Sequence, residues 1–176
     1  MQMEMVLTVI AKDRPGVVEV LADVIAAYGG NWVDSAMSRL GGEFAGILRI
    51  TIDEDRAAGL EQAFDALRED GIHTTIRKGQ VTEKSTGRTA YFEVVGQDHT
   101  GIVRDISRVL AENRVNVDEL RTHVFTGSMT GENMFSAEAD IQLPDGLELD
   151  ELCQKLESIA SDLMIDIKMC SGKKAS

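Results

Sequence analysis

The sequence predicts an α+β protein of two tandem ferredoxin-like βαββαβ units, each an antiparallel sheet carrying both helices on one face. Three observations predict it. First, Asp13-Arg14-Pro15-Gly16-Val17-Val18 returns 85 residues later as Asp98-His99-Thr100-Gly101-Ile102-Val103. Second, Leu21, Val24, Ile25 and Asn31 match Ile106, Val109, Leu110 and Asn116 at the same offset. Third, in each copy the apolar spacing alternates in the same order between a period of two and a helical period. Further along, Phe44, Ile50 and Ile52 meet Phe135, Ile141 and Leu143 at an offset of 91, so the second copy has gained six residues, as a loop tolerates. Two copies are too few for a solenoid. The expected division is residues 1–80, a polar linker at 81–88, and residues 89–172. Units this small bury only about 60% of their unfolded surface, so the two are expected to pack together rather than swing freely.

Each element has its own signal. Residues 4–11 are apolar and β-branched and read as a strand. Pro15 then suits the first turn of a helix whose apolar face is Val17, Val18, Leu21, Val24 and Ile25, with Gly29-Gly30 as its stop. Residues 31–40 and 44–52 read as a hairpin around Gly41-Gly42, with Ile47 on the wrong face of the alternation. Leu60, Ala63, Phe64 and Leu67 mark a second helix ending at Gly71, and 72–78 a last strand. The second unit repeats the order with strands at 89–97, 115–126, 134–143 and 163–170 and helices at 101–113 and 147–161. Its insertion, 126–133, is Gly- and hydroxyl-rich; a solvated excursion is the ordinary reading and a lid or partner contact the alternative.

The net charge of −12 bears on function. Residues 1–80 carry 8 basic and 13 acidic side chains and residues 81–176 carry 10 and 17, so both halves are acidic. Nucleic-acid binding relies on clustered Lys and Arg, and here the basic residues are scattered. Direct DNA binding is not expected. No apolar run approaches the roughly 18 residues of a membrane span and the start lacks a signal-peptide pattern, so no membrane partner and a cytoplasmic location are expected. Cys153 and Cys170 are expected as free thiols.

The strand-to-helix turns are the candidate ligand site. Gly16 and Gly101 permit close approach, and the free amides of a helix start attract a carboxylate. Asp13 and Asp98 can instead cap the helix. Asn31 and Asn116 open the second strand; each can satisfy the helix end, or read a ligand's carboxylate and amine. A site combining a turn with an asparagine lies between paired domains. His73, His99 and His123 are dispersed without ligand spacing, so no metal or cofactor is expected, and no nucleophile, Walker or dinucleotide motif is present. Arg14 stands where a small acylphosphatase needs a phosphate-binding arginine, but His99 replaces it in the second copy and the glycine cluster is missing.

With βαββαβ order, the D-R-P-G-V-V turn and G-G-N-W-V after the first helix, the chain resembles ACT domains in tandem. The second copy's Y-F-E-V-V-G-Q-D-H-T-G-I-V and the two-domain layout resemble the glycine cleavage system transcriptional repressor family over about residues 4–170. That resemblance implies a regulatory protein, not an enzyme, which senses a small amino acid, glycine in particular, and acts on a DNA-binding regulator protein. Carried over position by position, it implies ligand contacts at Asp13, Arg14, Gly16 and Asn31 and at Asp98, His99, Gly101 and Asn116. The mismatch of Arg14-Pro15 with His99-Thr100 makes the half-sites chemically unequal. A small enzyme of acylphosphatase type and an ACT interaction module without ligand are the alternatives, and a homo-oligomer is left open.

Overall fold

A computed structural model describes residues 1–79 and 87–172. The chain divides into two compact units, Met1–Glu83 and Lys84–Ser176. The expected linker at 81–88 lies outside the described residues except for Gly87 and Arg88, and Arg88 opens a strand.

Unit 1 runs β1 (Gln2–Lys12), α1 (Val17–Ala27), β2 (Asn31–Leu40), β3 (Glu43–Asp53), α2 (Glu54–Ala66) and β4 (Ile72–Lys78), with one turn of 3-10 helix at Leu67–Asp70. Its strands lie in the order β2-β3-β1-β4, every neighbour antiparallel. Met5, Leu7, Val9 and Ala11 of β1 point to one face, where they meet Leu21 and Ile25 of α1 and Leu60 and Phe64 of α2 in a single buried cluster. Both helices therefore cover the same face. On β3 the alternation places Leu48, Ile50 and Ile52 in that core and leaves Ile47 56% exposed on the other face, as its phase in the sequence requires.

Unit 2 runs β5 (Arg88–Gln97), α3 (Ile102–Glu112), β6 (Asn116–Thr126), β7 (Asn133–Leu143), α4 (Leu149–Leu163) and β8 (Ile165–Ser171), in the order β6-β7-β5-β8. Its core joins Phe92 and Val94 of β5 to Ile106, Leu110, Leu152 and Leu156. The six extra residues fall in the β6–β7 hairpin. In unit 1 only Gly41 and Gly42 connect the strands, both at positive φ (60° and 82°), the geometry of a two-residue turn. In unit 2 the strands gain one rung, Thr126 opposite Asn133, and the loop spans 127–132.

Two expectations are corrected. Pro15 is not in the first helical turn: α1 begins at Val17, after Gly16, and Pro15 belongs to the preceding turn. The face of α1 is narrower than its apolar content suggests. Val17, Leu21 and Ile25 are buried, while Val18 is 47% exposed; one position on from Val17 it is turned about 100° away from that stripe. Val103 of α3 is exposed in the same way.

Candidate functional site

The two strand-to-helix turns share one backbone construction. Gly16 has φ 91° and Gly101 φ 101°, left-handed values that favour glycine, and no side chain caps either helix. The aspartates do something other than capping. The Asp13 N–H donates to the Gly42 carbonyl (3.0 Å) and its carboxylate accepts from Arg39 (3.3 Å), tying the turn to the tip of the β2–β3 hairpin. Asp98 makes the equivalent backbone bond to Asn133 (2.9 Å). The first-turn amides of α1 and α3 therefore keep their donors for an external acceptor, since a helix cannot satisfy them itself.

Arg14 and His99 both reach the end of the second helix of their own unit. Arg14 Nη2 donates to the Asp70 carbonyl (3.0 Å), at the close of the 3-10 turn that follows α2. His99 Nε2 lies 2.8 Å from the carbonyl of Leu163, the last residue of α4. A cation suits this place because the last carbonyls of a helix are unsatisfied and carry its negative pole. In each unit the chain then leaves through a left-handed residue, Gly71 (φ 75°) or Met164 (φ 52°).

His99 also sets its Nδ1 3.1 Å from the Thr100 carbonyl. Both ring nitrogens thus face acceptors, which only the doubly protonated ring satisfies. Its pKa is raised, first by the Leu163 carbonyl and then by that of Thr100, with Asp98 and Asp105 adding attraction against some desolvation. A raised folded-state pKa means the stabilisation is fully present below the unfolded value of about 6.5 and is lost as pH rises through the folded value. We expect NMR titration to place the His99 pKa above that of an unfolded histidine, and His99→Gln to remove this pH dependence. A midpoint at or below about 6.5 overturns the two-carbonyl tie.

The surroundings of the two helix starts differ in charge. In unit 1, Asp13, Arg14 and Gly16 come together around an open recess that also meets Val18, Glu19 and Phe44. The first turn of α1 carries Glu19, and Asp23 follows one turn later, both unfavourable to a carboxylate. At the same repeat positions α3 carries Arg104 and Arg108. Arg104 pairs with Asp105 (2.8 Å) and holds its carboxyl below the usual range, and its guanidinium lies over Gly101, 3.1 Å from where a Cβ would stand. Arg104, Arg108 and Glu19 are absent from the motif-based site because only the helical turn brings them beside it.

Asn31 and Asn116 sit elsewhere. Each opens its strand at the far end of the unit's first helix, a separation of about 16 Å along an 11-residue helix. Neither takes the left-handed position that ends the helix; Gly29 does so in unit 1 (φ 71°) and Arg114 in unit 2 (φ 56°). The Asn116 amide donates to Asp118 (3.2 Å), which also accepts from Gln142 (2.9 Å), and Asn116 lines a separate recess with Arg114 and Asp145.

Nothing in the cysteines suggests a nucleophile. Cys153 donates to Glu157 (3.4 Å), and burial, with that carboxylate, pushes its thiol pKa up. Among the described residues no group of His, Cys, Asp and Glu is arranged to hold a metal ion, and no helix is long and apolar enough to cross a membrane.

Two solved structures share this fold along the whole chain. An unknown protein from Galdieria sulphuraria superposes with a TM-score of 0.83 at 24% identity, over 98% of this chain and 100% of that one. A protein provisionally named a glycine cleavage system transcriptional repressor gives 0.74 at 18% identity, over 99% of each chain. At these identities the likeness is one of fold. No curated protein sequence matches. The ACT domain family matches residues 4–76 and again 84–161, one domain in each unit, and the chain belongs to that family.

Proposed function

We propose that the chain is a regulatory protein whose second ACT unit binds a small amino acid and whose output is contact with a DNA-binding regulator. The observation that carries this reading is the start of α3. Uncapped first-turn amides and the left-handed Gly101 share the start of α3 with Arg104 and Arg108, of which Arg104 is paired with Asp105, and with His99, whose pKa is raised by the carbonyls of Leu163 and Thr100. That combination suits a carboxylate. Unit 1 has the same backbone but presents Glu19 and Asp23, so it binds such a ligand more weakly or not at all. The name of the repressor-like fold relative makes glycine the first ligand to try. Asp98 and Gly101 shape the turn, and because each asparagine stands about 16 Å along the helix from the turn of its own unit, Asn31 or Asn116 meets the ligand's amine only from a paired ACT domain. The acidic charge of both halves supports action on a regulator protein rather than on DNA. The acylphosphatase alternative is disfavoured because the Arg14 guanidinium is already bonded to the Asp70 carbonyl.

Thermal shift and calorimetry on the full chain test the reading. A ligand at 100 times its Kd stabilises by about 2.7 kcal/mol, several degrees for a domain of this size. Arg104→Ala is expected to weaken binding by about 1–3 kcal/mol, as is Asn116→Ala or Asn31→Ala, with folding unchanged. Full affinity in all three variants places the ligand elsewhere, and the absence of any amino-acid effect removes the sensing role. Pull-down with and without glycine addresses the output. A gel shift with nanomolar, sequence-dependent DNA binding by the chain alone overturns it.

A further inference from the structure

We propose that the amino acid bound by unit 2 carries a short aliphatic side chain, which seats in an apolar cavity between α3 and β6; this rests on the reading of the α3 start as the carboxylate site. The cavity measures about 30 Å³. Its walls include Phe92, Val103, Leu110, Val117, Thr122 and Phe135. Val103 lies in the first turn of α3, so the cavity adjoins the helix start that would hold the carboxylate. Since about 10–15 Å³ of such space holds one water-sized group, the cavity takes a side chain of two or three heavy atoms. That is the size of an α-aminobutyrate or valine side chain, larger than the single methyl group of alanine.

The internal repeat shows what chemistry belongs in this space. A register shift in β6 between Val117 and Glu119 turns Val117, Leu120 and Thr122 toward α3, opposite Ile141, Ala139 and Ala137. The same shift in β2 turns Trp32, Ser35 and Met37 toward α1. There Trp32 and Met37 pack against the core, and a Cβ on Gly46 would stand only 2.7 Å from Met37 Cγ. Unit 1 thus fills with its own bulky apolar side chains a place that unit 2 lines with Val117 and Thr122. Unit 2 also leaves apolar groups at the rim, with Val103 43% and Leu120 48% exposed. An apolar cavity with an apolar rim beside the uncapped amides of a helix start that also carries Arg104 matches an aliphatic α-amino acid, whose carboxylate and side chain it would separate. Each methylene buried there adds roughly fourfold in affinity.

Calorimetry of the full chain with glycine, alanine, valine and phenylalanine tests this. Valine is expected to bind at least roughly tenfold more tightly than glycine, with phenylalanine excluded by size. Val117→Trp with Thr122→Met and Ala137→Gly, which copies the filling of unit 1 together with the room that Gly46 leaves for Met37, is expected to abolish the preference while glycine binding persists. Val117→Trp alone serves if the triple variant does not fold. Methyl NMR of Ile106 and Leu110, both cavity walls, is expected to shift with valine and not with glycine. Equal affinity for glycine and valine, or a preference that survives the filled cavity, overturns the inference and leaves the amino-acid reading intact. Binding of no amino acid overturns both.

Discussion

Gly96→Ala is expected to destabilise unit 2 by about 3 kcal/mol, because the added Cβ has no flexible neighbour to displace. Gly96 lies on β5 opposite Ile165 of β8, and the Cβ would stand 2.4 Å from the Met164 carbonyl oxygen and 2.7 Å from Ile165 Cα. Both are backbone atoms, and Met164 is held left-handed at the exit of α4. The strand must move off, and its movement carries away the Leu163 carbonyl that His99 grips. The variant should therefore lose stability and the raised His99 pKa together. For a unit of this size the loss corresponds to a fall of roughly 10–20 °C in Tm. Chemical denaturation read with hydrogen exchange in β5 and β8 checks it, and parent-like protection in both strands refutes the close-approach argument.

Phe64→Ala should cost unit 1 about 3–5 kcal/mol, from the lost burial of a ring plus the cavity left behind. Phe64 on α2 is fully buried in the cluster that joins Leu7 and Val9 of β1 to Leu21 and Ile25 of α1. Small domains have total stabilities of about 5–15 kcal/mol, so this single change removes much of the margin. Phe64→Leu keeps most of the volume and should cost less than about 1.5 kcal/mol. Hydrogen exchange resolves the effect by unit. Little change for Phe64→Ala means that the site collapses without cost, contrary to its close packing.

Much of the fold was legible in the residues. The repeat of Asp13–Val18 as Asp98–Val103 disclosed two units, and the alternation of Leu48, Ile50 and Ile52 disclosed which face of β3 is buried, down to the exposed Ile47. The change of offset from 85 to 91 located the insertion, and the hairpin loop at 127–132 is where it falls. These features are local or periodic, and periodicity is a property a sequence carries in one dimension.

The site was legible only in outline, because its decisive relations are between residues far apart in the chain. The family resemblance implied ligand contacts at Arg14 and His99, but the fold engages them with the carbonyls of Asp70 and Leu163, 56 and 64 residues away. Asp13 and Asp98 had the spacing of caps, yet the left-handed Gly16 and Gly101 occupy the capping position and the Asp13 carboxylate pairs with Arg39 instead. The slips in β2 and β6 turn Met37 and Thr122 toward the helices, and no alternation read from residue 31 or 116 onward anticipates a shift of phase. By itself the sequence determined two ACT units, their element order, their charge and the glycines at their turns. The tertiary structure alone decided which cations are already engaged by carbonyls, which helix start faces basic side chains and where unit 2 keeps an open apolar space, since each depends on how strands and helices meet across the core.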